Sequence, residues 1–184
     1  MPWSLKRYHH SGQSHFVTFS CYHRQPFFVT NTSKRTFEEA LERVRRSYHL
    51  YVYGYVVMPE HVHILLSEPT RATLAEALKS LKQGVARRLV ATPGNHFWQK
   101  RYHDFNVSSH QKFAEKLRYI HRNPVKRGLC ADPASWPWSS FLHYAECVEG
   151  IVEIESEWTA NRRDRKAGKL CPAVELPHLS QPRA

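Results

Sequence analysis

Apolar and polar residues alternate from His15 to Tyr22, with Val17, Phe19 and Cys21 on one face. Alternation of this kind predicts a half-buried strand. Helical spacing follows once Asn31, Thr32 and Ser33 have offered caps. Phe37, Leu41, Val44 and Tyr48 then fall on one side of a helix. Leu50 to Met58 returns to period two: Leu50, Val52, Val56 and Met58 are aliphatic, and Tyr51, Tyr53 and Tyr55 occupy the other face. That tyrosine row predicts a sheet surface covered by another element, with base stacking as the alternative. Pro59 cannot donate to a sheet ladder, so a tight connection is expected there. A strand follows from about Glu60 to Ser67. Thr73 and Glu76 have capping-box spacing. They open a helix striped by Leu74, Leu78, Leu81, Val85 and Leu89, which Pro93 and Gly94 stop. Its outer face is predicted to carry Lys79, Lys82, Arg87 and Arg88. Residues 97–107 contain a further strand, expected at a sheet edge. Ser108 with Gln111 predicts the cap of a third helix, buried along Phe113, Leu117 and Ile120 and ending at Asn123 before Pro124.

The order strand, helix, strand, strand, helix, strand, helix predicts an α+β protein with a ferredoxin-like (RRM-like) antiparallel sheet. The apolar face of the strand after Pro59 should meet the first two helices, leaving its other face for the third. The expected organisation is an N-terminal arm over 1–14, a catalytic domain over 15–130 and a C-terminal extension over 131–184. The aromatic run Trp136 to Ala145 should pack back on the body, and Pro172, Pro177 and Pro182 mark the tail as an appendage.

Charge narrows the class of partner. The chain has 184 residues, 27 Lys and Arg against 16 Asp and Glu, and a net charge of +11. Such a balance predicts attraction to polyanions, nucleic acid first. No stretch has the length of a transmembrane helix, and MPWSLKRYHH lacks the apolar core of a signal peptide. Cys21, Cys130, Cys147 and Cys171 have no paired metal spacing and read as reduced thiols of a cytoplasmic protein.

Candidate chemistry lies on the strand after Pro59 and on the third helix. His61 and His63 are two residues apart, so both imidazoles share a strand face, with Leu65 behind them. The pair forms a bidentate grip for a metal, or else packs in a half-polar face. With Phe113 at zero and about 100° per residue, Tyr119 falls near 240° and Asn123 near 280°. Lys112 and Lys116 lie on the same flank. A tyrosine and an amide one turn apart can aim at one ion or phosphate. His61, His63 and Asn123 would make a two-imidazole, one-amide site with open positions. Ligand softness alone suits zinc there better than magnesium or manganese. Tyr119 would be the nucleophile, and a phenol with a pKa near 10 needs activation or a polarised target. His9, His10, His103, His110, His121 and His143 have no comparable pairing and read as surface or packing residues.

Three segments carry a resemblance. YVVMPEHVHILL, Tyr55 to Leu66, resembles the histidine–hydrophobic–histidine motif of HUH single-strand DNA endonucleases. KLRYIHRNPVKRGL, Lys116 to Leu129, resembles the tyrosine segment of the REP-associated tyrosine transposases, and WPWSSFLHYA is similar to the Trp-Ser-Ser block that follows it there. The resemblance runs from about Phe16 to Ala145. Glu60 stands where many relatives have Asn, and Lys126-Arg127 where many have Arg-Ala. The resemblance implies that Tyr119 attacks single-stranded DNA to form a 5′-phosphotyrosine link. It also implies that His61, His63 and Asn123 hold magnesium or manganese. The implied substrates are hairpins from repeated extragenic palindromes, met by a monomer at the bacterial nucleoid. Lys112, Lys116, Lys79, Lys82, Arg87 and Arg88 are candidate DNA contacts. A non-catalytic nucleic-acid-binding module is the alternative. A metal-dependent hydrolase barrel is excluded by length, since such barrels need about 250 residues.

Overall fold

The computed structural model describes residues 13–90 and 96–167. Most of the 1–14 arm, His9, His10, the Pro93-Gly94 stop, Cys171 and the tail prolines lie outside the described residues. Four strands, β1 (Ser14–Ser20), β2 (Val52–Val57), β3 (His61–Ser67) and β4 (His103–Val107), form an antiparallel sheet in the order β2-β3-β1-β4. Helices α1 (Asn31–Tyr48) and α2 (Leu74–Leu89) connect them, and α3 (His110–Lys126) follows β4. This is the ferredoxin-like order expected, with β4 at an edge.

The two faces of the sheet bury different layers. Val17, Phe19, Val62, Ile64 and Leu66 pack with Phe37, Leu41 and Val44 of α1 and Leu74, Leu78 and Leu81 of α2. Phe16 and Leu65 face the other way, beneath Ile120, Leu117 and Phe113 of α3. Strand alternation therefore puts His61 and His63 under α3.

The tyrosine row does not form. The β2–β3 register shifts between Val52 and Gly54, and an extra residue in one strand turns later side chains to the opposite face. Val52 faces α1 and α2, but so do Tyr55 and Val57 beyond the bulge, while Val56 and Met58 face α3. Tyr51 stays exposed, and Tyr53 packs on Phe113 with ring centroids 5.2 Å apart. The Tyr55 hydroxyl donates to Glu38 Oε1 of α1 at 2.6 Å. Burial pushes the Glu38 carboxyl up to about 7. A folded pKa above the ordinary carboxylate value means stability present below pH 4.5 that is lost as pH rises toward 7. Glu38→Gln keeps an acceptor for Tyr55 and removes the buried charge. At pH 8 it is expected to gain about 1–3 kcal/mol over the parent in urea melts, with little gain at pH 4.5. Equal melts at pH 8 would exclude a buried charge at Glu38.

Side chains cap the starts of α1, α2 and α3: Thr30 accepts from the Ser33 amide, Thr73 and Glu76 close a capping box, and Ser109 accepts from the Lys112 amide. The caps of α1 and α3 are thus Thr30 and Ser109, not Asn31–Ser33 or Ser108. Helix α3 also runs past Asn123 and through Pro124 to Lys126. A proline in the last turn removes only one hydrogen bond. The Arg127 amide still donates to the Asn123 carbonyl at 3.0 Å, and Gly128 (φ 67°) ends the run in the left-handed region.

Close contact seats α3 on the sheet. A Cβ at Gly54 would lie 2.6 Å from Leu117 Cδ1 and 3.2 Å from Ser140 Oγ, so a larger residue there would require the Leu117 side chain to shift. The Trp136–Ala145 run packs on β2 as expected. Val57 donates to the Trp138 carbonyl at 2.9 Å, and Trp136 Nε1 donates to the Val57 carbonyl at 3.1 Å. Ser140 Oγ accepts from the Tyr55 amide at 3.1 Å and sits 2.9 Å from His121 Nε2, which makes His121 a buried packing residue. Helix α4 (Phe141–Glu146) follows, and Val152 and Ile154 rejoin the α1–α2 core. The chain divides into two compact units, one ending at Ile154 and one beginning at Glu155. The second contains α5 (Glu157–Lys166), capped by Ser156.

One buried polar group was not anticipated. His15 lies on the α1–α2 face, with Nδ1 2.9 Å from Asp104 Oδ1 and Nε2 3.2 Å from Glu68 Oε1. It ties β1 to edge strand β4 and to the end of β3. The Asp104 and Glu68 carboxylates outweigh burial and hold the imidazole above its usual range.

Candidate active site

β3 and α3 bring together four residues that the sequence had placed on separate elements. His61 and His63 project from the α3 face of β3, and both are buried. Their Nε2 atoms lie 3.0 Å apart. Asn123, on the inner side of α3, puts Nδ2 3.2 Å from His63 Nε2 and is buried too. One turn earlier, the Tyr119 ring meets the His63 ring edge-on at 5.1 Å and the Phe16 ring at 5.9 Å. Tyr119 nevertheless remains 40% exposed. A buried donor cluster thus sits directly beside an open phenol.

The far nitrogens of the two imidazoles face oxygen. His63 Nδ1 is 2.7 Å from Thr18 Oγ1, directly across the β1–β3 register. His61 Nδ1 is 3.2 Å from Glu60 Oε1, yet off the line a hydrogen bond needs, and it makes none. Arg127, just past α3, donates to the same Glu60 oxygen at 2.7 Å. Burial pushes the His63 imidazole down to about 3, helped by the Lys116 ammonium. Burial also lowers His61, against the pull of Glu60. Both rings are therefore neutral at pH 7.

This set fits a cation. The two Nε2 atoms face each other at 3.0 Å, close enough to share one proton or to turn two lone pairs toward a cation. A divalent cation there would take a lone pair from each imidazole. Asn123 Oδ1 is a buried acceptor with no partner, and the near-isosteric ends of an amide let it take the place of Nδ2. Among the described residues no trio of His, Cys, Asp and Glu converges.

The basic residues divide between the two faces of the sheet. Lys116 Nζ lies over the Phe16 and Phe105 rings at 4.8 and 4.6 Å, and Lys112 Nζ lies over Phe105 at 5.6 Å. Lys126 Nζ stands 5.8 Å from the Tyr119 ring centre. Lys79, Lys82, Arg87 and Arg88 belong to α2, which covers the opposite face. Lys82 is half-buried rather than outward, because its Nζ donates to the Gln99 carbonyl at 2.8 Å. Arg88 Nη1 donates to Glu39 at 3.3 Å.

Thr18, Phe16, Glu60 and Arg127 were not picked out as site residues. Alternation could have put Phe16 and Thr18 on one face, but their meeting with His63 depends on the β1–β3 register.

The family model described as transposase IS200 like matches residues 8–123. A protein of Escherichia coli (strain K12) named REP-associated tyrosine transposase is 24% identical over 165 residues, covering 89% of this chain and 95% of that protein. A solved structure of a REP-associated tyrosine transposase bound to a REP hairpin has a TM-score of 0.67 at 21% identity, over 82% of this chain and 90% of that one. At that identity the likeness is one of fold. The stretch matched by the family model contains His61, His63, Tyr119 and Asn123.

Proposed function

The chain belongs to the family of IS200-like transposases, and on that premise we propose that it cleaves and rejoins single-stranded DNA at hairpin-forming repeated palindromes through Tyr119. The relative named REP-associated tyrosine transposase and the hairpin-bound structure support this choice of substrate. The observation that carries the reading is the open Tyr119 phenol 5.1 Å from His63, whose Nε2 also faces His61 and Asn123.

Tyr119 Oη attacks the phosphorus of a phosphodiester. The new Oη–P bond leaves a 5′-phosphotyrosine link, the P–O3′ bond breaks, and the 3′-oxygen departs as a hydroxyl after taking up a proton. Attack by another 3′-hydroxyl reverses the step and rejoins strands, so no nucleotide is consumed. His61, His63 and Asn123 would hold a divalent cation, magnesium or manganese. Such an ion supplies Lewis-acid polarisation of the phosphate and stabilises the leaving oxygen. Phe16 and His63 fix the Tyr119 ring from two sides. Lys112 and Lys116, over Phe105 on the α3 face of the sheet, supply phosphate contacts, which dominate affinity for nucleic acid. Among the described residues no helix is long and apolar enough to cross a membrane.

End-labelled single-stranded hairpin oligonucleotides from the source genome's repeated palindromes test this, incubated with magnesium or manganese and run on a denaturing protein gel. Label transferred to the protein, and absent with chelator, is the expected result. Hairpins that bind yet give no covalent band with either ion would leave a nucleic-acid-binding module.

A further inference from the structure

We infer that Thr18 is a positioning residue for this reaction, fixing His63 as the tautomer whose Nε2 lone pair points into the donor cluster. The inference rests on the donor set proposed above.

A neutral imidazole carries one proton, and ligation through Nε2 requires that proton on Nδ1 with an acceptor beside it. His63 is 5% exposed, so bulk water does not reach the ring freely. Thr18 Oγ1, at 2.7 Å, supplies the acceptor from inside the sheet. Its placement is set by the fold: Thr18 and His63 are direct partners in the β1–β3 ladder, so their side chains leave the sheet on one face. The near nitrogen agrees with this assignment. The Asn123 amide nitrogen lies 3.2 Å from Nε2, and an N–H donor there needs a lone pair to meet. The Phe16 ring stacks on His63 at 5.4 Å with planes 18° apart, which holds the ring plane but leaves the choice of tautomer open. A hydroxyl can accept from Nδ1–H or donate to a bare Nδ1, and the Asn123 amide nitrogen at Nε2 selects the first arrangement, in which Thr18 Oγ1 is the acceptor. Without it, a proton on Nδ1 would be a buried donor with no acceptor. The imidazole would then move its proton to Nε2, where it blocks the donor cluster. His61 has no equally fixed partner, since its Nδ1 makes no hydrogen bond.

Thr18→Val keeps shape and strand preference while deleting the oxygen, and Thr18→Ser restores the oxygen. Two readouts separate the role from simple support of the fold. The first is nitrogen-15 NMR of the histidines in metal-free protein. His63 is expected as the Nδ1–H tautomer in the parent and in Thr18→Ser, and shifted toward Nε2–H in Thr18→Val. The second is a manganese titration followed by electron paramagnetic resonance. Thr18→Val should bind about 10–100-fold more weakly, with Thr18→Ser close to the parent. A parent that binds no manganese overturns the donor set and this role together. A parent that binds it, beside a Thr18→Val protein that binds as tightly with an unchanged His63 spectrum, overturns the role of Thr18 alone.

Discussion

Tyr119→Phe is expected to abolish the covalent adduct and to lower strand cleavage at least about a thousandfold, the scale seen when a nucleophile is removed. The substitution deletes one oxygen and keeps the ring that packs edge-on to His63 and Phe16. Because Tyr119 is 40% exposed, its loss should change stability by no more than about 0.5 kcal/mol. Affinity for hairpin oligonucleotides should stay within about threefold, since phosphate contacts and not the reacting phenol dominate binding. Manganese binding should also persist, because none of the proposed donor atoms is altered. The measurement is adduct formation and cleavage rate beside a binding isotherm on one oligonucleotide. An adduct of parental yield in Tyr119→Phe would remove Tyr119 from the chemistry.

His63→Ala should have the second largest effect, and a different profile. It takes away the nitrogen that faces both His61 and Asn123, and it leaves Thr18 Oγ1 and the Asn123 amide without their partner. Cleavage is expected to fall on the order of a thousandfold through lost electrostatic stabilisation. Manganese binding should be lost with it. The cavity beside Phe16 and the orphaned polar groups should lower stability by about 1–3 kcal/mol, visible as a lower thermal midpoint. The two variants together form a dissection. Tyr119→Phe loses chemistry and keeps the ion and stability, whereas His63→Ala loses chemistry, the ion and some stability. Parental cleavage by His63→Ala, undiminished by chelator, would rule out the donor set while leaving the tyrosine reading intact.

Helices α3 and α2 are both basic, with five and four Lys and Arg, yet only the first carries Tyr119. Lys112 and Lys116 stand over Phe105 beside the site, whereas Lys82 is tied to the Gln99 carbonyl on the far face of the sheet. A helical wheel distinguishes inward from outward positions. It contains nothing about which side of a sheet the helix will cover, because that follows from connection and packing between elements.

The sequence by itself determined whatever depends on neighbouring residues. Period two put His61 and His63 on one strand face, and helical spacing put Tyr119 and Asn123 one turn apart. The run of such periods set the order of strands and helices, because each period follows from local backbone geometry. Tertiary structure alone decided what depends on contact between distant segments. The bulge before Gly54 turned Tyr55 into the core and broke up the tyrosine row. Pro124 stayed inside α3, where tertiary packing outweighed a local preference against helix at Asn123. Asn123 reached His63 across 60 residues and Thr18 reached it across 45, through a seat for α3 on Gly54 and a register between β1 and β3. Register and helix seating minimise internal voids and unpaired polar groups over the whole molecule, so no local stretch of sequence displays them.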